Sequence, residues 1–458
     1  MKTIFITISR GSLIRNFLQT GVIQKILDKN FRVVILTPHY DDSEAFADYQ
    51  HENLVLEPLI VSKNIRLHRL MYEIFTGAVY NPTTKVRYRY SFCGKKPKAY
   101  LYLPRLILFG SLRFIPGFKK FIRFIDAKIN PQKEHDYLFK KYNPDLLFIT
   151  VAGDRTETGL IKAAKRFGVR TICMPKSWDN LGKNLFYSKA DYMIVWGKFM
   201  KKQAINFQDY KLDEILVTGA PQFDYYAHKE NLLSREEFCR QFSFDPAKKI
   251  ILYASNGISA SGEAVYVELI NKYIEEGKLK DTQVLIRPHL GWLDDEKKFS
   301  RIKEENGIAI DRSAKRNMRF KDHWDISENH LKQLFNSLYH ADVCINIAST
   351  MTLDAAACGT PAININFDVD RNLPMDKSVK RLYISDYFKE VVDAGATWVV
   401  ESEKELLEAL KGILENGERK EEKQKSFIEY FMRKNDGRAA ERIAQNLILL
   451  AEGKKYAR

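Results

Sequence analysis

Short runs of β-branched and aromatic residues alternate along the chain with longer stretches in which apolar residues recur at helical spacing. In the first half these runs predict strands at residues 2–9, 32–37, 53–58, 145–151, 170–175, 191–197 and 215–219. Helices are predicted between them, for example over 13–27 and 157–167, which Asn30 and Gly168 end. This alternation is typical of a parallel sheet built from strand-helix-strand crossovers.

A second series of strands follows a polar, charged stretch at 222–248. The pattern places them at 249–254, 282–286, 307–311, 342–347, 361–366 and 397–400. We therefore predict an α/β protein with two Rossmann-like domains, at 1–225 and 245–400, whose strand C-termini face one cleft. Charged helical segments over 401–458 are predicted to pack across the junction.

Composition narrows the choice of partner and compartment. With 458 residues, 73 basic and 58 acidic, the chain carries a net charge of +15, which indicates an anionic partner such as a nucleotide, a phospholipid or a nucleic acid. The 5 cysteines form no CxxC pair, which favours a reducing cytoplasm. The first apolar run is too short for a signal peptide, and no segment offers the roughly 18 uncharged apolar residues of a membrane span.

An insertion at 85–130 does not fit the regular alternation. Over 85–123 it interleaves bases with bulky apolar residues, as in Lys85-Val86-Arg87-Tyr88-Arg89-Tyr90. Such a segment can lie in the headgroup layer of an anionic membrane, or form a packed helical subdomain with a solvated basic face. Binding of single-stranded nucleic acid is disfavoured. We predict a membrane surface as the partner of 85–123, and no nucleic acid.

The strongest local motif runs from Ala348 to Pro361, where a strand gives way to a helix rich in small residues. A helix start with the hydroxyls of Ser349 and Thr350 suits a phosphate or diphosphate, and Asp354, one turn further, can bond a ribose hydroxyl. The alternative is that Ser349 only caps the helix.

Arg287-Pro288-His289 ends another strand of the second half, at the edge where α/β clefts bind ligands. A guanidinium and an imidazole suit the charge that grows on a departing nucleoside diphosphate, although a histidine at a strand end is often a plain surface group. Contacts around Asn256 are expected to contribute to recognition of the base.

In the first half, Ser9-Arg10-Gly11-Ser12 joins the first strand to its helix. Glycine permits a tight turn and a close approach of a ligand there, and the motif is not GxGxxG, which argues against a dinucleotide site. We assign Arg10, Gly11 and Ser12 to an acceptor-side or phosphate-binding loop.

Two aspartates past strand ends are the candidate bases. Asp154 can take a proton from an acceptor hydroxyl; alternatively it is an N-cap, with Glu157 closing a capping box. Asp179, in Lys176-Ser177-Trp178-Asp179-Asn180, faces the same cleft, and its alternative is an Asx turn.

Metal ligands are not apparent in the sequence. No HxxxH or HxH pair occurs, and Asp368 and Asp370 form a DxD that we interpret as structural. No metal and no other cofactor is predicted.

Three motifs in this order resemble one family: Val217-Thr218-Gly219-Ala220-Pro221-Gln222-Phe223-Asp224, Arg287-Pro288-His289, and Ser349-Thr350 through Gly359-Thr360-Pro361. They look like the superfamily that holds bacterial surface-polysaccharide glycosyltransferases, CDP-glycerol glycerophosphotransferases and non-hydrolysing UDP-N-acetylglucosamine 2-epimerases. The resemblance covers about 140–400, and the segment from Lys176 looks most like capsule and O-antigen members.

The resemblance implies a GT-B fold, with the donor nucleotide on the second domain, near His289, Ser349, Thr350 and Asp354, and the acceptor on the first, where we add Trp178 and Asn180. We predict a metal-independent, inverting glycosyltransferase for surface polysaccharide or glycoconjugate synthesis, peripheral to the inner face of the plasma membrane. An alditol-phosphate transferase that uses a CDP-glycerol or CDP-ribitol donor is the first alternative. A non-catalytic nucleic-acid-binding or regulatory protein is the second, and epimerisation ranks lower because that family's set of acid and base carboxylates is not found.

Overall fold

The computed structural model describes residues 1–42, 45–60, 65–90, 102–112, 114–260 and 262–456. Two parallel sheets form the frame, the first with seven strands and the second with six. The strands of the first are β1 Thr3–Thr7, β2 Arg32–Thr37, β3 Leu54–Pro58, β4 Leu146–Ile149, β5 Arg170–Cys173, β6 Tyr192–Val195 and β7 Ile215–Val217. Those of the second are β8 Lys249–Ala254, β9 Thr282–Arg287, β10 Ile308–Ile310, β11 Val343–Asn346, β12 Ala362–Ile365 and β13 Trp398–Val400.

Strand order explains where a ligand can bind. The sheets run β3-β2-β1-β4-β5-β6-β7 and β10-β9-β8-β11-β12-β13, so the order reverses beside β1 in one and beside β8 in the other. In the centre of the first sheet, Ile6 pairs with Ile35 on one side and with Phe148 on the other, and all three are fully buried. The loops after strands beside such a reversal diverge to opposite faces and leave a crevice between them.

Helices cover both faces of the sheets, which is why the strands read as nearly continuous apolar runs. The helices are α1 Gly11–Leu13, α2 Val22–Leu27, α3 Ile65–Gly77, α4 Pro82–Tyr90, α5 Tyr102–Leu112, α6 Phe118–Ile129, α7 Asp136–Tyr142, α8 Arg155–Arg166, α9 Lys198–Gln208, α10 Arg235–Arg240, α11 Ala264–Glu275, α12 Glu328–His340, α13 Met351–Cys358, α14 Lys380–Tyr383, α15 Asp386–Asp393, α16 Glu403–Leu414, α17 Glu421–Met432 and α18 Ala439–Ala451. A π-helical turn, Ile14–Gln19, continues α1.

The C-terminal helices connect the two sheets, as predicted. α16 packs on the second sheet, α17 contacts both α9 and α13, and α18 packs on α2 and β4 of the first half. The contact with α17 depends on Gly197, because a Cβ there would lie 2.5 Å from the carbonyl carbon of Phe431. The domain boundaries at 225, 245 and 400 stay predictions.

The insertion is helical where the structure describes it, and its residues 91–101 and 113 lie outside the described ranges. α4, whose second half is the start of the insertion, does not face solvent freely, because Thr83, Thr84 and Val86 are buried and Thr83 contacts Asp386 at the start of α15. Among the described residues of the insertion, the large exposed apolar side chains lie on α5, on α6 and at residues 114 and 115 between them. Across the described residues, no helix combines the length and apolarity needed to cross a bilayer.

Candidate functional site

A cavity lies between the two halves, at the carboxyl ends of strands from both sheets. Six of the residues predicted as site residues line it: Ser12, Arg287, His289, Ser349, Thr350 and Asp354. Arg15, Lys176, Asp311, Trp324 and His330 also contribute to its walls. The structure thus brings the predicted donor motifs together with the Ser12 end of the predicted acceptor loop.

The start of α13 is held in a strained conformation at the cavity wall. Ala348 has φ 44°, a left-handed value that a non-glycine residue adopts only at a cost of about 1–3 kcal/mol. The side-chain oxygen of Asn346 accepts bonds from the Ser349 amide at 3.2 Å and the Thr352 hydroxyl at 3.1 Å, which fixes this turn. Ser349 also accepts a weak bond from the Met351 amide at 3.3 Å, so part of its predicted alternative role as a cap is present.

Arg287 is anchored at the end of β9. Its guanidinium forms an ion pair with Asp311 that is almost fully buried, and it lies 3.4 Å from the ring nitrogen of His330. Burial lowers the pKa of His330 well below its usual value, and the charge of Arg287 lowers it further, so His330 is neutral. The ion pair with Asp311 thus fixes the position of the Arg287 guanidinium at the cavity wall.

His289 lies beyond Arg287 with its ring open to the cavity. Its backbone amide donates to the Asp295 carboxylate at 2.5 Å. Behind it, the ammonium group of Lys298 lies 2.6 Å from the carboxylate of Asp295 and 2.7 Å from that of Glu263. Enclosure by the cavity walls lowers the pKa of His289; Asp295 opposes this, while Lys298 and Lys176 lower it further. His289 is therefore a neutral imidazole at pH 7.

Asn256 performs a structural task in this region. Its side-chain amide donates to the carbonyl of Ile347 and so ties the loop after β8 to the loop after β11. It is not among the residues that line the cavity. A contribution to recognition of the base stays a prediction.

The first half supplies an anion-binding loop that holds a carboxylate from the second half. The amide of Gly11 donates to Asp322 at 2.9 Å, and the Ser12 hydroxyl donates to it at 2.8 Å. Lys176, just past β5, lies 3.2 Å from the same carboxylate. Burial alone raises the pKa of Asp322, but Lys176 and the Ser12 donors outweigh it, so the pKa is lowered and Asp322 is ionised.

Arg15, from the first half, and Asp354, from the second, both line the cavity. The Arg15 guanidinium stacks on the Trp324 ring at 5.0 Å, and burial lowers its pKa although Tyr226, Asp354 and Asp322 oppose that shift. Asp354 accepts the Tyr226 hydroxyl at 2.7 Å, and burial raises the pKa of Asp354 to about 6. Among the residues that the structure describes, no carboxylate forms an ion pair with Arg15, so a bound anion can take that place.

Neither predicted base lines the cavity. Asp154 pairs with Arg10 at 2.7 Å and caps α8 by accepting the Thr156 amide at 2.8 Å, as its alternative role requires. The predicted capping box is wrong, because Glu157 turns inward and accepts the Thr7 hydroxyl at 2.6 Å. Asp179 pairs with Lys183; burial alone raises its pKa, but Lys183 outweighs burial and lowers it, which makes Asp179 a weak base. Their catalytic roles stay predictions.

The other predicted acceptor residues are also engaged within the protein. Trp178 is 1% exposed, packs among Tyr387 and Phe431, and directs its indole N–H to Thr350 at 3.4 Å. Asn180 accepts the Ser177 amide at 3.1 Å, which stabilises a turn. Trp178 thus connects the two halves, and acceptor binding by either residue stays a prediction.

Sequence reasoning missed Arg15, Lys176, Asp322 and Trp324. Arg15 follows the Gly11-Ser12 loop by one helical turn, and Lys176 follows a strand by three residues, so position carried a signal in both cases. Asp322 and Trp324 belong to the segment 311–327, which contains no helix or strand. Loops of that length inside a compact domain are usually functional, and this rule was available from the sequence.

Within the described ranges, no group of three or more His, Cys, Asp or Glu side chains is arranged to hold a metal ion. Asp368 accepts the Val379 amide at 2.9 Å and Asp370 accepts the Asn372 amide at 2.9 Å, so the DxD pair shapes a loop. Metal independence stays a prediction.

A comparison with protein-family models gives a match to CDP-glycerol:poly(glycerophosphate) glycerophosphotransferase over residues 156–449. The match includes Lys176, Arg287, His289, Asp322 and the whole of α13, and it covers more than half of the chain. The chain belongs to this family. The glycerophosphotransferase family consists of transferases, so the protein is a transferase with a nucleotide-activated donor and a polymer acceptor. No match was found among the curated proteins.

Solved structures that resemble this member of the glycerophosphotransferase family confirm the predicted GT-B fold. A putative UDP-N-acetylglucosamine 2-epimerase from Listeria monocytogenes is 12% identical with a TM-score of 0.58, covering 100% of both chains. MnaA of S. aureus with UDP is 12% identical with a TM-score of 0.55, covering 99% of this chain and 97% of its own. A variant of the wall teichoic acid polymerase TagF with CDPG is 13% identical with a TM-score of 0.50, covering 99% and 89%.

Proposed function

We propose that the protein transfers an alditol phosphate, glycerol phosphate first, from a CDP-activated donor to a hydroxyl group of a growing surface polymer. The observation that carries this proposal is that both halves of the protein supply cationic side chains to the cavity. Arg15 and Lys176 come from the first half and Arg287 from the second, and all three line one cavity. A reacting phosphate between the halves meets positive charge on both sides.

This arrangement favours attack at phosphorus over attack at a sugar carbon. In phosphoryl transfer the charge on the oxygens of the transferred group must be stabilised while that group moves between donor and acceptor. In glycosyl transfer only the departing diphosphate carries that charge, and cations on the donor half are sufficient. Two cations on the acceptor half are therefore best explained by a phosphorus centre. This order reverses our expectation from the sequence, in which sugar transfer came first.

The residues take the following roles in the proposal. Arg287 and the start of α13, with Ser349 and Thr350, hold the donor diphosphate, while Arg15 and Lys176 bind the transferred phosphate. The acceptor oxygen forms a bond to phosphorus as the bond from phosphorus to the CMP oxygen breaks, and CMP leaves. We propose that no metal is required, because these side chains supply the positive charge.

We propose His289, rather than Asp154 or Asp179, as the group that takes the acceptor proton. His289 lines the cavity and is neutral, whereas Asp154 and Asp179 are each bound to a cation outside the cavity lining. A general base must be unprotonated at the working pH and must lie within reach of the proton that it takes. His289 lines the cavity, and its lowered pKa keeps the imidazole neutral.

Product analysis tests the proposal. The purified protein is incubated with CDP-glycerol and a short glycerol phosphate oligomer, and CMP release and phosphorus NMR of the product are recorded. We expect CMP and a new phosphodiester, with a rate that falls about 100- to 10,000-fold in His289→Ala. Asp154→Ala and Asp179→Ala are the matched variants, and a larger loss in either would transfer the role of base to that residue.

Sugar transfer is the second candidate, since its donor also presents a diphosphate to Arg287 and α13. Thermal unfolding in the presence of CDP-glycerol, CDP-ribitol, UDP-sugars, GDP-sugars and TDP-sugars distinguishes the two, because a ligand that binds the native state raises the melting temperature. A response to one UDP-, GDP- or TDP-sugar alone, followed by a glycosidic product, would replace our proposal.

We further propose that the protein works on the inner face of the plasma membrane through α5 and α6. Eight large apolar side chains in this region are at least half exposed: Leu103, Ile107, Leu108, Phe114, Ile115, Phe121, Phe124 and Ile129. On α6, Lys120 and Lys128 share the exposed face with Phe121 and Phe124. Phenylalanines that enter the lipid between lysines that reach the headgroups are typical of helices that lie on a membrane.

Sedimentation with anionic vesicles tests the membrane proposal. Phe121→Ser combined with Phe124→Ser is expected to weaken partitioning at least tenfold, because both rings are more than half exposed and available to the lipid. Leu212→Ser, at a side chain that is 66% exposed outside the insertion, is the control. Equal partitioning of all three proteins would overturn the proposal.

A further inference from the structure

A second concentration of positive charge lies away from the cavity, in a crevice between α6 and α8. Eight cations line it: Lys120, Arg123, Lys128, Lys133, Lys162, Lys165, Arg166 and Lys189. Four of these have carboxylate partners, since Arg123 pairs with Asp209, Lys162 with Asp126, Arg166 with Asp136 and Lys189 with Glu214. The transfer reaction proposed above uses none of them.

The other four cations of the crevice are not neutralised. Within the described part of the chain, no carboxylate lies in ion-pair distance of Lys120, Lys128, Lys133 or Lys165. Asp126 is not part of the crevice lining, is 0% exposed and is already bonded to Lys162 at 2.5 Å, so it does not compensate these four cations. Four like charges around one opening repel each other and attract an anion.

The position of the crevice indicates which anion it receives. Phe124 is 58% exposed and forms part of the crevice wall, and it belongs to the same face of α6 as Phe121. Whatever enters beside Phe124 is therefore in contact with the surface that we assign to the membrane. A phosphate that carries acyl chains fits this arrangement, with its charge among the lysines and its chains beside the phenylalanines.

We propose that this crevice binds the phosphate headgroup of an anionic phospholipid. The crevice would fix the tilt of the protein relative to the bilayer, because it adds a second point of contact beside the exposed face of α5 and α6. The proposal rests on the membrane surface proposed above, yet it is independent of the transfer chemistry, since no residue of the crevice lines the cavity between the halves.

Lys133→Gln with Lys165→Gln is the test variant, because both side chains are exposed, neither pairs with a carboxylate that the structure describes, and both lie outside the apolar face of α6. Lys25→Gln with Lys29→Gln is the matched control, which removes the same charge from two exposed lysines on and just after α2. α2 follows β1 toward β2, and α8 follows β4 toward β5, so right-handed crossovers place them on opposite faces of the sheet.

The first measurement is thermal unfolding with dihexanoyl phosphatidylglycerol below its micelle concentration. We expect a saturable rise in melting temperature for the native protein and the control pair, and none for the Lys133 and Lys165 pair. Dihexanoyl phosphatidylcholine, which carries no net charge, is expected to give a much smaller rise. No rise with phosphatidylglycerol would overturn the proposal. An equal rise with inorganic phosphate, or a larger one with a glycerol phosphate oligomer, would reassign the crevice to a free phosphate or to the polymer.

The second measurement is partitioning onto vesicles that contain phosphatidylglycerol. Removing two lysines near an anionic surface is expected to weaken partitioning roughly 30-fold, with little change in the control pair. If the lysine pair partitions like the native protein while Phe121→Ser with Phe124→Ser does not, the crevice proposal fails and the membrane proposal stands. CMP release with a soluble acceptor is expected to be unchanged in both lysine pairs. A failure of the proposed transfer reaction can therefore be distinguished from a failure of the crevice proposal.

Discussion

The carboxylate of Asp322 accepts a hydrogen bond from the hydroxyl of Ser12 at 2.8 Å, although the two residues are 310 positions apart and belong to opposite halves of the protein. The same carboxylate takes the Gly11 amide and the Lys176 ammonium group. Donors of this kind bind phosphate oxygens equally well. Asp322 therefore occupies an anion site on the first half, at the place where the halves meet.

If a substrate phosphate uses the same donors, Asp322 competes with it. Asp322→Asn removes the charge and is expected to strengthen binding of an anionic acceptor about fivefold, which corresponds to about 1 kcal/mol for one partly exposed ion pair. The measurement is the KM for a glycerol phosphate oligomer. Asp370→Asn, in a loop away from the cavity lining, is the control. A weaker acceptor affinity in Asp322→Asn would show that Asp322 holds the halves closed and does not compete.

Arg15 is a half-buried cation, and none of the carboxylates that the structure describes forms an ion pair with it. Arg15→Gln is therefore expected to keep the free energy of unfolding within about 1 kcal/mol of the native value, because it loses the stacking on Trp324 and one hydrogen bond to the side chain of the neighbouring Asn16. CDP-glycerol turnover is expected to fall at least 100-fold, as for the loss of a charged group that stabilises a transition state. Chemical unfolding measures the predicted change in stability, and CMP release measures the predicted loss of turnover.

Arg123 gives the contrasting variant. Its guanidinium is buried, and it donates to the Phe186 and Gln208 carbonyls and to Asp209. Arg123→Gln is expected to lower the free energy of unfolding by about 3 kcal/mol, since breaking a buried pair leaves its partners unsatisfied. Turnover per folded molecule is expected to be unchanged. A stability loss in Arg15→Gln as large as that in Arg123→Gln would contradict the assignment of Arg15 to a ligand.

The sequence predicted the site residues at strand ends and at a helix start better than those on irregular loops. Arg287, His289, Ser349 and Asp354 follow strands or start a helix, and the edge of a parallel sheet is a reliable location, so their convergence was foreseeable. Asp322 and Trp324 were not foreseeable from spacing, because a loop without regular structure gives no periodicity from which to predict where its side chains lie. Glu157 was misassigned because its spacing from Asp154 also suits a capping box, and only burial reveals that it turns inward.

Gly257 determines where the His289 ring lies. A Cβ at this position would lie 3.0 Å from Cγ of His289, and Gly257 has φ 64°. Gly257→Ala is expected to displace the imidazole and to lower kcat at least tenfold, although residue 257 is not among those lining the cavity. The variant is also expected to lose about 1–2 kcal/mol of stability from the left-handed backbone.

Gly277→Ala separates these two effects. Gly277 has φ 68° and no atom within 4 Å of an added Cβ, so the variant has the same backbone strain without the collision. We expect a similar loss of stability and native turnover. Equal turnover in the two alanine variants would mean that the His289 ring position does not depend on Gly257.

Glu157 makes the stability of the first half depend on pH. Burial raises its pKa to about 6, with a smaller contribution from Asp154, although the hydroxyls of Ser9 and Thr7 oppose the shift. Because the folded pKa lies above the unfolded value, the carboxyl stabilises the fold only while it is protonated. That contribution is complete below about pH 4.5 and is lost as the pH rises through about 6.

Glu157→Gln removes this dependence while keeping the shape of the side chain. Relative to the native protein, the variant is expected to gain about 2 kcal/mol of unfolding free energy between pH 4.5 and pH 8, since that energy corresponds to a pKa raised from its usual value to about 6. Urea unfolding at the two pH values measures the difference. Glu415→Gln, at an exposed residue after α16, is expected to show no such gain. A Glu157→Gln variant that is equally destabilised at both pH values would show that the hydrogen bonds to Ser9 and Thr7, and not the buried charge, dominate at this position.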